Sequence, residues 1–157
     1  MVALLGISPG TRIIGLAVII KGELVEWKVK SFKEKWDCEK KAAIISIIDR
    51  LIEHYEVKVI SLKKVDPLKS SFQLDSLVGA IEKLGNDKGI EVKRYSLSDL
   101  EYDKRSGQRD GKAKLTESIV EKHPELKREY FKERNNRRDY YTKMFEAVAM
   151  AERCREW

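Results

Sequence analysis

The sequence predicts an α/β domain built on a mixed five-stranded sheet, with helices on both faces and an extra C-terminal helical segment. Three observations favour this class. The first strand-like segments are joined by short turns, the middle of the chain alternates helical and strand-like patterns, and no convincing strand follows Ser96. The predicted order is βββαβαβ followed by helices. At 157 residues, 42% of them hydrophobic, the chain is long enough for one core, and we expect a single domain over residues 1–157.

The first three predicted strands form a meander. Val2–Ile7 and Ile13–Ile20 are continuous apolar runs, and Pro9-Gly10-Thr11 between them are residues typical of turns. Lys21-Gly22-Glu23 then turns the chain into a third strand, Leu24–Ser31. Because links this short join antiparallel neighbours, the three strands should pair antiparallel.

Helical and strand-like patterns alternate after this meander. Between Trp36 and Tyr55 the apolar residues fall at helical spacing and predict the first helix. Val57–Leu62 reads as a strand, and a right-handed crossover would return it parallel to the first strand. Ser70 and Ser71 can cap a second helix that ends at Gly85-Asn86, and residues 89–95 predict a short fifth strand.

The remaining chain is predicted to be helical. Helical patterns lie near Lys112–Lys122 and Glu125–Lys132, and the sequence His123-Pro124 between them is typical of a helix end. A last helix is predicted over Tyr140–Arg155. Its inward stripe should consist of Tyr141, Phe145, Val148 and Ala151.

Composition excludes several classes of protein. No run of about 18 uncharged apolar residues occurs, and a signal peptide is not indicated, so we expect a cytoplasmic protein without membrane contacts. Cys38 and Cys154 lie far apart with no CxxC motif or neighbouring His, which argues against a disulfide framework or a zinc site. Lysine, glutamate and isoleucine are abundant while asparagine and glutamine are scarce, a balance typical of thermophilic proteins.

The net charge of +6 is unevenly distributed. Residues 101–143 carry 13 basic and nine acidic side chains, so this segment holds most of the excess. A solvated, ion-paired surface and a nucleic-acid footprint explain this pattern equally well.

Two motifs indicate a family. The stretch LLGISPGTRIIGLAVI, Leu4–Ile19, resembles the first hairpin of the RuvC-type Holliday-junction resolvases of the ribonuclease H-like superfamily, in which the first strand runs into Gly-Ile-Asp-Pro-Gly-Ser/Thr. The stretch FEAVAMA, Phe145–Ala151, is similar to the family's Asp-Ala-x-Ala-x-Ala helix. The resemblance implies a ribonuclease H-like fold and, in intact members, a nuclease that clamps the scissile phosphate with two divalent cations.

The family's acidic positions are mostly replaced in this chain. Carried over one by one, they fall on Ser8, Lys63, Lys143 and Glu146, of which only Glu146 is acidic. Ser8 is neutral and Lys63 would repel a dication, so we expect no metal, no cofactor and no catalytic residue at these positions. Asp66 and Asp139 lie nearby in sequence, and they leave open a rearranged, Mg²⁺-dependent endonuclease.

Basic residues predict a different use of the same fold. Lys63 places positive charge where the metals would bind, so phosphate could dock there without an ion. Our preferred hypothesis is a catalytically degenerate RuvC-like protein that binds DNA or RNA without sequence preference. The alternatives are the rearranged endonuclease and a non-catalytic scaffold that binds a protein partner or a second copy, a role that Trp36 and Trp157 would suit if they are exposed. The predicted nucleic-acid-binding residues are Arg12, Lys63, Lys64, Lys104, Arg105, Arg109, Lys112, Lys114, Arg137 and Arg138.

Overall fold

The computed structural model of the chain describes residues 2–32, 37–96, 112–136 and 141–155. Five strands form one sheet in the order β3-β2-β1-β4-β5. The first three pair antiparallel, while β4 is parallel to β1 and β5 is parallel to β4. The predicted mixed five-stranded sheet is therefore confirmed. The strands are β1 (Ala3–Ser8), β2 (Ile13–Ile20), β3 (Glu23–Ser31), β4 (Val57–Lys63) and β5 (Glu91–Tyr95).

Five α-helices occur in the described ranges, with a short 3₁₀ turn before the second and another before the fourth. The predicted helix over Glu125–Lys132 is wrong at its start, because Pro124–Leu126 forms one of these turns. Proline lacks the N–H that a continuous helix needs, so the chain makes a separate start there. The helices are α1 (Cys38–Tyr55), α2 (Phe72–Asp87), α3 (Lys112–Lys122), α4 (Lys127–Asn136) and α5 (Thr142–Arg155), and the 3₁₀ turns are Pro67–Lys69 and Pro124–Leu126.

Local side-chain chemistry fixes where these elements begin. Ser71 accepts a hydrogen bond from the backbone N–H of Leu74 at 3.1 Å, so the predicted cap of α2 is confirmed. Asp37 caps α1 in the same way, accepting from the N–H of Lys40 at 2.7 Å. Lys21 and Gly22 both have positive φ, at 55° and 80°. This conformation suits a two-residue hairpin turn that follows the right-handed twist of the sheet.

The larger of two apolar cores lies between the sheet and the helices α1 and α2. Leu5 and Ile7 from β1 and Ile60 from β4 contribute fully buried side chains from the centre of the sheet. Ile48 of α1 and Ile81 of α2 cover them. Burying each such side chain contributes about 2 kcal/mol, so this layer holds the central strands in register.

The second core lies on the opposite face of the sheet, under α5. The predicted inward residues Phe145, Val148 and Ala151 are all buried in it, as the stripe requires. The prediction of a one-sided stripe is nevertheless too narrow, because residues 144–152 are buried without interruption. The sheet covers α5 on one side, and α3 packs against it elsewhere, so this helix is central and not superficial.

A buried polar pair joins the helices of this second layer. His123 follows α3, as predicted for a helix end, and its Nε2 lies 2.6 Å from Oε1 of Glu152 on α5. Both side chains are almost fully buried. The pair therefore satisfies two polar groups that would otherwise be costly inside the core.

None of the helices in the described part of the chain is long and apolar enough to cross a membrane. Cys38 is exposed, Cys154 is buried, and both are free thiols.

Candidate functional site

The candidate site lies where β1 and β4 end and α5 passes over them. Ile7 pairs with Leu62 across the two parallel strands, so Ser8 and Lys63 come next to each other at the same edge of the sheet. Helix α5 packs on both strands and brings Glu146 to this point. We use the term candidate site for Ser8, Lys63, Lys143 and Glu146.

Two of these side chains, Ser8 and Lys63, contact Glu146 directly. Ser8 Oγ donates a hydrogen bond to Glu146 Oε1 at 3.2 Å, and Lys63 Nζ forms an ion pair with Glu146 Oε2 at 2.7 Å. Ser8 is completely buried and Glu146 is only 4% exposed. Three of the positions that the resemblance assigns to the family's acids therefore lie together in the structure.

The charges of this cluster compensate each other. A carboxylate removed from water loses much hydration free energy, and an ammonium at contact distance offsets that loss. The Lys63 side chain keeps 19% of its surface exposed, so the ion pair is reached by solvent from one side only. The two side-chain oxygens of Glu146 thus already face a hydroxyl and a cation.

Lys143 holds a different part of the site. It lies one turn before Glu146 on α5, and its Nζ donates a hydrogen bond to the carbonyl oxygen of Pro9 at 3.2 Å. This contact ties α5 to the Ser8-Pro9-Gly10 turn. The lysine therefore braces the turn at a position where the resemblance expects an acid.

Close backbone packing sets the height of Glu146 above the sheet. A Cβ atom placed on Gly6 would lie 1.9 Å from the carbonyl oxygen of Ala147, and one on Gly15 would lie 2.0 Å from that of Lys143. Ser61 in β4 donates a hydrogen bond to the carbonyl oxygen of Met150 at 2.6 Å. Sequence reasoning missed these supporting residues, although small residues inside otherwise bulky strands signal a close approach of another backbone.

Of the two acids considered as replacement ligands, Asp66 is not part of this cluster. Asp66 is exposed and accepts a hydrogen bond from the N–H of Leu68 at 2.9 Å, which caps the 3₁₀ turn after β4. Asp139 lies outside the described residues. Within the described ranges, no group of three or more His, Cys, Asp or Glu side chains could hold a metal ion.

The predicted nucleic-acid-binding residues separate into three groups. Arg12 and Lys64 are exposed in the segments that follow β1 and β4, whereas Lys63 is engaged by Glu146. Lys112 and Lys114 lie on α3, but their side chains are outside the described set. The rest of the prediction lies outside the described residues, namely Lys104, Arg105, Arg109, Arg137 and Arg138, as do Trp36 and Trp157.

Two apolar side chains beside the site were also missed. Leu68, in the connection from β4 to α2, and Phe72, the first residue of α2, are 93% and 85% exposed. Large apolar groups this open to water are typical of interaction surfaces. The sequence feature that could have indicated their exposure is their placement after Lys63-Lys64 in a turn-rich segment.

The chain thus has an α/β fold of the ribonuclease H-like type, with a carboxylate paired to a lysine at its strand ends. RuvC of Thermus thermophilus has this architecture, with a TM-score of 0.70, 12% identity and coverage of 95% of this chain and 90% of RuvC. The structure of T. thermophilus RuvC in complex with a Holliday junction substrate has a TM-score of 0.68 and 11% identity, and the match covers 96% of this chain and 90% of RuvC.

Two further resolvases share the fold. Fowlpox virus resolvase, solved with substrate Holliday junction DNA, has a TM-score of 0.65 at 12% identity and 98% coverage of both chains. A yeast mitochondrial Holliday junction resolvase gives 0.58 at 14% identity, covering 94% of this chain and 75% of its own. No protein-family model and no curated protein sequence matches this chain. At these identities, the likeness shows a common fold.

Proposed function

We propose that this protein binds nucleic acid at the sheet edge formed by Ser8, Lys63 and their flanking residues, independently of base sequence and without cutting it. One observation carries the proposal. The buried carboxylate of Glu146 is paired with the Lys63 ammonium and accepts a hydrogen bond from Ser8, while the cations Arg12 and Lys64 in the segments after β1 and β4 are exposed.

The side chains present do not fit a two-metal centre. Two hard dications need several anionic oxygens, and this cluster offers a single carboxylate that already bears an ammonium. At an effective dielectric of about 20, a dication about 4 Å from the Lys63 ammonium would be repelled by about 8 kcal/mol. Hydrolysis through metal-activated water therefore has no support from these residues.

The same arrangement suits a phosphate backbone. Because Glu146 is compensated, its charge does not oppose an approaching phosphate, while Arg12 and Lys64 extend into solvent. Phe72 offers an exposed aromatic face on which an unpaired base can stack. Two proteins of the same fold were solved with Holliday junctions, which makes a four-way junction the first substrate to test.

Fluorescence anisotropy with a labelled four-way junction, a duplex and a single strand tests the proposal. In EDTA and at low ionic strength we expect binding that weakens steeply with salt. Arg12→Ala and Lys64→Ala should each weaken binding about fivefold and flatten the salt slope by about one unit, because each removes a phosphate contact. Lys21→Ala, in the turn between β2 and β3, is the matched control and should change nothing.

A cleavage assay separates the proposal from its alternatives. The same substrates should remain intact after incubation with Mg²⁺ or Mn²⁺. Metal-dependent cleavage that disappears in Asp66→Asn or Asp139→Asn would establish the rearranged endonuclease instead. Absence of salt-sensitive binding to all three nucleic acids would reject the proposal in favour of a scaffold.

A further inference from the structure

An open groove runs between the outer strand β3 and helix α1, on the sheet face opposite to Glu146. Its volume is about 760 Å³. Ile47 and Leu51 of α1 form its apolar floor, and residues 25–28 and Lys30 of β3 form its other wall. The groove belongs to neither the candidate site nor its supporting contacts.

Strand β3 is an edge of the sheet in the described part of the chain. Its inner side pairs with β2, and a register shift opposite Val18 and Ile19 places a bulge near Val25. Regular β-structure then continues from Glu26 to Ser31. Its outer N–H and C=O groups have no strand partner among the described residues, so about six residues of backbone can pair with an added strand.

The groove carries an excess of positive charge. Glu26 is its only acidic wall residue in the described chain, and its carboxylate is engaged by Lys28 at 2.9 Å and by the Tyr55 hydroxyl. Lys30 and Arg50 are exposed on the rim, and neither forms an ion pair within the described ranges. These two cations remain to attract an anionic partner.

We propose that β3 adds an extended, acidic segment of a partner polypeptide as a sixth strand of the sheet. Backbone pairing with an edge strand supplies affinity, and side chains at alternate positions supply selectivity. Those on the groove side meet the apolar floor at Ile47 and Leu51 and the cations Lys30 and Arg50, which fits alternating apolar and acidic residues. A nucleic acid could satisfy the cations but neither the apolar floor nor the strand edge.

Binding of synthetic peptides by the full-length protein tests this inference. The probe is a fluorescein-labelled octapeptide of alternating valine and glutamate, and its comparison peptides carry lysine for glutamate or N-methyl groups at alternate backbone nitrogens. In fluorescence anisotropy we expect saturable binding of the acidic peptide and at least tenfold weaker binding of both others. Equal binding of the lysine peptide, or no binding of the acidic one, would overturn the proposal.

Matched variants assign the binding to the groove. Lys30→Glu with Arg50→Glu should weaken binding of the acidic peptide at least tenfold, whereas Lys21→Glu outside the groove and Lys64→Ala in the segment after β4 should leave it unchanged. If the double glutamate variant fails to fold, Lys30→Gln with Arg50→Gln gives the same comparison. Unchanged affinity in a folded double variant would contradict the inference, as would displacement of the peptide by single-stranded DNA that itself requires Lys30 and Arg50.

Discussion

The Glu146 side chain is buried, and the stability of the folded protein depends on the Lys63 ammonium that pairs with it. Lys63→Met removes that cation and leaves a carboxylate 4% exposed, with the Ser8 hydroxyl as its remaining polar contact among the described residues. We expect the free energy of unfolding to fall by about 3 kcal/mol, the lower end for a broken buried pair because Lys63 is partly exposed. Urea-induced unfolding measures this loss.

Replacing both partners discriminates the ion pair from simple packing. Lys63→Met combined with Glu146→Leu leaves no unpaired charge, so most of the lost stability should return. Lys64→Met, at the exposed neighbouring position, should change stability by less than about 0.5 kcal/mol. A double variant as unstable as Lys63→Met alone would show that the charge of Glu146 is not the cause.

Tyr55 and Glu26 form a second coupled pair, in the groove beside β3. Hydrogen bonding to the Glu26 carboxylate, with burial adding to it, raises the pKa of Tyr55 to about 12 from its ordinary value of 10. Because the folded state holds this proton more tightly, the stabilisation is complete below pH 10 and is lost as the pH rises to 12. Tyr55→Phe should abolish that component of the alkaline stability loss.

Absorbance near 295 nm follows the phenol directly. The difference between the wild-type and Tyr55→Phe titrations should show one group ionising near pH 12. Glu26→Gln should move that ionisation toward pH 10, because the neutral amide no longer favours the protonated phenol. A difference curve already centred at pH 10 in the wild-type protein would contradict the assignment.

Among the elements, the contact of α5 with β1 and β2 tolerates the least change. Gly6→Ala and Gly15→Ala each place a methyl group about 2 Å from a backbone carbonyl oxygen of α5, so the helix must shift. We expect losses of about 3 kcal/mol in the free energy of unfolding. For Gly6→Ala we also expect weaker nucleic-acid binding, since Glu146 would move away from Lys63.

Gly79→Ala is the matched control on another element. Gly79 lies inside α2 with no atom within 4 Å of an added Cβ. Alanine there should stabilise the helix by about 0.5 to 1 kcal/mol. Thermal unfolding of the three variants tests both directions, and a neutral Gly15→Ala would show that α5 is free to retreat from the sheet.

For the whole molecule, the order and pairing of the strands could be predicted from local patterns. Short turns dictated the antiparallel meander, and the helix before Val57 dictated a parallel crossover, because these relations depend on neighbouring segments. The full burial of α5 could not be predicted in this way. Its residues Met144 and Met150 lie outside the expected stripe and are buried because layers from both sides cover the helix.

The residues of the candidate site could be predicted from the sequence, but the contacts between their side chains could not. Aligning the two motifs and the end of the fourth strand with the family's pattern placed Ser8, Lys63 and Glu146 together. The sequence-based hypothesis nevertheless treated Lys63 as available to phosphate, because the partner of an ammonium depends on side-chain geometry between distant segments. Because Lys63 is paired with Glu146, the exposed positive charge lies on Arg12 and Lys64. The predicted role of Lys63 in binding phosphate remains to be tested.

The position of α5 has a consequence for how the protein is made. Synthesis proceeds from the N terminus, so all five strands leave the ribosome before the 14 residues of α5. Until then, Ala17, Ile19 and Leu24 lack the helix that buries them in the second core. A half-made chain therefore presents a sheet with one apolar face bare, the kind of surface that invites aggregation and chaperone capture. A newly made molecule is therefore protected from aggregation through this face only after α5 has been synthesised and has packed on the sheet.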